Sequence, residues 1–177
     1  MRVGCAWTVP MLRTEPRHLI EKLRDPSLLV RTGVLLVPAD RLADTPNLAA
    51  RLGVDLLDVV EWKLSRIVPG TRFLRLDADR FLADLDAIAQ GNWTTGCVLV
   101  LNTDVLLANL EDDQRDRAWL FLLHSFKRRA HALILVLPAQ ATHLFPLGQR
   151  KRWEDVGRVA EVGAGGGRAG SHDDLSW

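Results

Sequence analysis

Apolar residues in this chain fall into two alternating kinds of run. Compact runs occur at 33–37 (Gly-Val-Leu-Leu-Val), Cys97–Leu101 (Cys-Val-Leu-Val-Leu) and 132–137 (Ala-Leu-Ile-Leu-Val-Leu), with a fourth, broken by two aspartates, at 54–60. Short unbroken runs closed by turn residues predict strands buried on both faces. Between them, apolar residues recur at three- and four-residue spacing, which predicts helices. Leu19, Ile20 and Leu23 form one such face, with Thr14 as cap, Pro16 in the first turn and Asp25-Pro26 as the stop. Leu48, Ala49 and Leu52 form the next, capped by Thr45 and ended by Gly53. A short helical turn at 62–68 runs into the Pro69-Gly70 turn. A third helix follows Asp77 or Asp79 and buries Phe81, Leu82, Leu85, Ile88 and Ala89. A long helix spans 113–129. Its stretch 118–123 is apolar nearly all round, which predicts burial on more than one side.

Alternating strands and helices, with strands apolar on both faces, predict a doubly wound, mostly parallel α/β sheet. Right-handed crossovers then gather the loops after the strands along one carboxyl edge. This is the layout of a P-loop NTPase. Residues 158–162 are expected to add an edge strand. The 177-residue length suits a single domain, placed at 1–162, followed by a Gly-rich, flexible tail at 163–177.

A formal net charge of +1 favours neither nucleic acid nor membrane, so such a partner requires a local patch. Cys5 and Cys97 are far apart and form no CxxC pair; Cys97 is expected to be a buried thiol. No targeting signal and no run near the ~20 apolar residues of a membrane span stands out, which makes a cytoplasmic protein the expectation.

In a P-loop fold a glycine-rich turn after the first strand wraps phosphate with backbone N–H groups, and a lysine reaches the outer oxygens. Here the turn 38–45 reads Pro-Ala-Asp-Arg-Leu-Ala-Asp-Thr, without glycine or lysine. Asp40 and Asp44 bring negative charge to it, and a like-charge contact at ~4 Å costs on the order of 4 kcal/mol. Only Arg41 and Thr45 could favour a nucleotide. The strand at Cys97–Leu101 is followed by Asn102 where a Walker B strand carries an acid, with Asp104 two residues on. Asn102 and Asp104 thereby join Arg41 and Thr45 as candidates for a degenerate nucleotide site, although their expected role is to cap the loop. The tail glycines at 163–170 imitate a phosphate loop but precede no helix of adequate length. His18, His124, His131, His143 and His172 show no metal-ligand spacing, and no GxSxG or HExxH is present. No catalytic residue, metal or cofactor is assigned. Two basic clusters remain, Lys127-Arg128-Arg129 at the end of the long helix and Arg150-Lys151-Arg152 with Trp153 beside it in a loop. Together they could contact nucleic-acid phosphates and a base. Trp7, Trp93 and Trp153 fall in expected loops or ends, which favours a protein interface.

Residues 47–66, the helix at 79–89 and the segment 98–107 (Val-Leu-Val-Leu-Asn-Thr-Asp-Val-Leu-Leu) resemble the small P-loop protein of type 3 BREX phage-defence systems. The resemblance covers roughly residues 30–140. It implies a degenerate ATPase-fold subunit of a multi-protein bacterial defence system. The family's Gly-Lys-Thr loop is absent at 38–45, so its ATP binding does not carry over. The expectation is thus a non-catalytic, P-loop-like subunit that acts by contact with other protein subunits. The alternatives are an adaptor that binds DNA or RNA through the basic clusters, and an atypical ATPase.

Overall fold

A computed structural model describes residues 14–71 and 76–163. Cys5, Trp7 and the expected tail beyond Gly163 lie outside them. Helix α1 (Pro16–Arg24) leads to strand β1 (Thr32–Val37), a 3-10 turn (Ala39–Asp44), α2 (Thr45–Leu52), β2 (Asp55–Asp58) and α3 (Val59–Leu64). Then come α4 (Ala78–Ala89), β3 (Cys97–Leu101), α5 (Thr103–Ala108), α6 (Asp112–His124), β4 (Ala132–Pro138), α7 (Leu147–Asp155) and β5 (Val159–Glu161).

All five strands are parallel, in the order β2-β3-β4-β1-β5. The chain leaves β1 and passes β4 and β3 to reach β2, then returns stepwise in the opposite direction. Right-handed crossovers therefore put α2 on one face and the later helices on the other. The core divides accordingly, because successive strand residues point to opposite faces. Leu35 and Val37 meet Leu19, Ile20 and Leu23 of α1 and Ala49 of α2. Val34 and Leu36 belong with Phe81, Leu85, Trp119, Leu122 and Trp153 of α4, α6 and α7. Gly33 lets α1 approach closely: a Cβ there would lie 2.7 Å from Leu23 Cδ1. Gly53 ends α2 with φ 64°, the left-handed conformation glycine adopts without steric cost.

Several boundaries differ from expectation. Glu15, not Thr14, occupies the cap position of α1; of the two aspartates expected to cap α4, Asp77 does so by accepting from the Arg80 N–H. Strand β2 is shorter than 54–60 because Asp58 accepts from the Val60 and Glu61 N–H groups and starts α3 there. Helix α6 stops at His124, not 129. Lys127 pairs with Val30 in an antiparallel bridge, and Arg128 has φ 58°, which a right-handed helix cannot contain. Along 118–123, Leu120 and Phe121 are partly exposed, so α6 buries one side rather than its whole circumference. Helices α5 and α7 were not expected. In α7 only Gln149 and Trp153 are buried, so it carries no apolar period to read. Edge strand β5 falls within the expected 158–162. No helix among the described residues is long and apolar enough to cross a membrane.

Candidate functional site

The chain leaving β1 goes to one face and the chain leaving β4 goes to the other. The carboxyl ends of these neighbours therefore form the topological switch point, where open α/β sheets bind ligands. The turn after β1 is the 3-10 segment, and its polar side chains are engaged internally. Arg41 Nη1 donates to the Gly163 carbonyl at 2.9 Å, and Arg41 Nη2 lies 4.0 Å from Asp44. Asp44 also faces Arg51 at 3.7 Å and accepts from Asn47 at 2.7 Å. Thr45 is buried, and its hydroxyl donates to the Leu42 carbonyl at 2.6 Å rather than serving as a cap. The two aspartates thus have different fates: Asp44 is neutralised by arginines, while Asp40 is exposed. A small concavity of about 10 Å³ lies among Leu36, Pro138, Ala139 and Phe145, and no residue of the turn 39–45 lines it.

Asn102 and Asp104 follow β3, which β4 separates from β1. Two strand spacings put them roughly 10 Å from the first turn. Asn102 adopts φ 59°, and its Nδ2 donates to Asp58 Oδ2 at 2.6 Å, tying the ends of β2 and β3 together. It is the cap-position residue of α5 but makes no side-chain cap bond. Thr103 is buried and donates to the Val136 carbonyl at 2.9 Å. Asp104 is half-buried in the first turn of α5. The four nucleotide candidates therefore form two separate structural groups. No group of three or more His, Cys, Asp or Glu that could hold a metal occurs among the described residues. Cys97 is fully buried, as expected, and burial pushes its thiol up to about 12, which leaves no thiolate for chemistry.

The basic clusters are reshaped by the fold. Lys127, Arg128 and Arg129 lie in the loop before β4, at the amino edge, not at a helix end. Arg129 forms an ion pair with Asp86 and sits 4.7 Å over the Phe126 ring. The second cluster is on α7, not in a loop. There Arg150 pairs with Glu154 at 2.6 Å and with Glu161 at 3.5 Å, while Lys151 and Arg152 are exposed. Trp153 is 0% exposed and meets Trp119 edge-on at 5.5 Å, so it offers no face to a base. It does not contribute to an exposed interface either. Trp93 is half-buried, with Nε1 donating to the Ile88 carbonyl.

Asp55, at the start of β2, accepts from the N–H and hydroxyl of both Thr94 and Thr95, at 2.8 to 3.0 Å. Burial opposes its ionisation, but these bonds outweigh it and hold the carboxyl below its ordinary value of 3.8. Two residues absent from the sequence reading emerge as organisers: Asp58, whose signal was an aspartate just before a helical turn, and Arg31. An apolar cleft of about 340 Å³ opens between α3 and α5, lined by Val60, Leu64, Leu76, Val105 and Leu106. Leu64 and Val105 there are 58% and 45% exposed. No protein-family model, curated protein or solved structure matches the chain.

Proposed function

We propose that this chain is a non-catalytic subunit with a degenerate P-loop-like layout, acting by contact with other proteins. One observation carries the reading: Arg41, Thr45 and Asn102, on the turns where phosphate and Mg²⁺ would sit, are already engaged within the protein. Arg41 serves Asp44 and Gly163, Thr45 serves Leu42, and Asn102 serves Asp58. A ligand there would have to break these bonds and approach Asp40 and Asp44. The exposed Leu64 and Val105 side chains supply apolar surface of the kind that protein partners cover. The setting in a BREX-like defence or DNA-processing complex rests on the sequence resemblance alone. The basic clusters support a nucleic-acid adaptor less well, since Arg129 and Arg150 are ion-paired and Trp153 is buried.

The test is an ATP hydrolysis assay together with ATP titration, with and without Mg²⁺. The expected result is no hydrolysis and no Mg²⁺-dependent binding. Hydrolysis that Arg41→Ala or Asn102→Ala abolishes would overturn the proposal. For the contact itself, the tagged full chain is purified from its own cells beside Val105→Glu. Co-purifying subunits that the variant loses are expected; recovery of a bare monomer from the wild type refutes it.

A further inference from the structure

A second concavity, of about 490 Å³, opens at the amino edge of the sheet, away from the switch point. Pro26, Leu29, Arg31, Gln90, Arg128 and Arg129 are among its lining residues. Three arginines from two segments distant in sequence meet there. The loop before β4 is bound to the approach to β1 by the Val30–Lys127 bridge and by the Arg128 N–H donating to Leu29 at 2.9 Å. The Arg31 guanidinium donates to the carbonyls of Arg129 and Ala130, the latter at 2.9 Å. Arg129 is held over Phe126 and against Asp86. Both of these arginines are thus positioned before any ligand arrives, which lowers the entropy cost of binding.

Arg128 differs from them. Its side chain is exposed and has no partner among the described residues, and its backbone has φ 58°. A non-glycine residue in this region is strained, and the surrounding hydrogen bonds hold it there. Three guanidiniums against the one carboxylate of Asp86 leave two positive charges at the cleft. A phosphate monoester carries nearly two negative charges at neutral pH, whereas a carboxylate carries one. The guanidinium fork also matches phosphate oxygens in geometry. Pro26 and Leu29 supply apolar lining to the same cleft, with Leu29 56% exposed. The volume lies within the ~300–1,000 Å³ range of small-molecule sites, larger than bare phosphate needs.

We infer that this amino-edge cleft binds a phosphate monoester with a flat or apolar body, a nucleotide whether free or at the end of a nucleic-acid strand. Arg128 takes the phosphate, Arg31 and Arg129 add the positive field around it, and Pro26 and Leu29 take the body. The inference is independent of the switch point and of the protein-contact reading.

The experiment is calorimetric titration of the full chain with AMP, adenosine and inorganic phosphate. Anisotropy with an oligonucleotide, with and without a 5′-phosphate, is measured alongside. The variants are Arg128→Gly, which suits the left-handed backbone and so preserves the loop, and Lys151→Ala/Arg152→Ala as a control. AMP should bind and adenosine should not. Arg128→Gly should weaken AMP roughly tenfold or more, the loss expected for one charge-assisted hydrogen bond, without lowering the melting temperature. The α7 control should bind as wild type does. Preference for the 5′-phosphorylated strand, with the same dependence on Arg128, assigns the phosphate to nucleic acid; binding of AMP alone assigns it to a free nucleotide. Absence of binding to both AMP and the phosphorylated strand, or binding that Arg128→Gly leaves unchanged, overturns the inference.

Discussion

The bond between Asp58 and Asn102 separates a structural account of the carboxyl edge from a ligand-binding one. Asp58 accepts from the N–H groups of Val60 and Glu61 at 2.9 and 3.2 Å and from Asn102 Nδ2 at 2.6 Å. Loss of the helix cap in Asp58→Ala costs about 1 kcal/mol. The Asn102 bond reaches an ionised acceptor but is exposed, which reduces its worth to about 0.5–1 kcal/mol. Asp58→Ala should therefore lower stability by about 2 kcal/mol, or the melting temperature by about 4–8 °C in a chain of this size. Asn102→Gly is the suitable partner, because glycine accepts the φ of 59° without strain. Urea unfolding of the wild type, both single variants and the double variant completes a cycle. The double variant should be less destabilised than the sum of the singles by about 0.5–1 kcal/mol, the energy of the shared bond. Strict additivity would refute the claim that Asn102 is held in place by Asp58.

Two further perturbations test the structural assignments. Asp55 has a folded-state pKa below 3.8, so its contribution is complete above that value and is lost as pH falls through the folded one. Asp55→Asn should unfold at lower urea than wild type at neutral pH, and the gap should close in acid; a gap independent of pH would contradict the four-bond geometry. Trp153→Ala should cost about 3–5 kcal/mol by opening a cavity beside Trp119 and Phe145. Trp153→Phe should cost far less, because the buried Nε1–H has no hydrogen-bond partner among the described residues to lose. Guanidinium denaturation midpoints distinguish the pair, and equal losses would show that packing is not the reason for this residue.

The four apolar runs, the Gly53 stop and the aspartate before α4 were legible because each acts on its own neighbours. A strand buried on both faces must be apolar at every position, and a left-handed stop needs glycine. The lack of glycine and lysine in the turn 38–45 is a property of the sequence itself. Helix α7 was not legible. Its formation depends on one tryptophan meeting Trp119 and Phe145 from distant segments, so no period marks it. The end of α6 is likewise set by Lys127 pairing with Val30, almost a hundred positions earlier in the chain. Strand order and ion pairing are decided by the same kind of non-local contact. That is why nothing in the sequence marks Arg129 and Arg150 as ion-paired, or Arg31 as the residue that ties the approach to β1 to the loop before β4. Local backbone and burial rules write themselves into neighbouring residues. Side-chain partnerships across the sheet exist only once the crossovers have placed the strands.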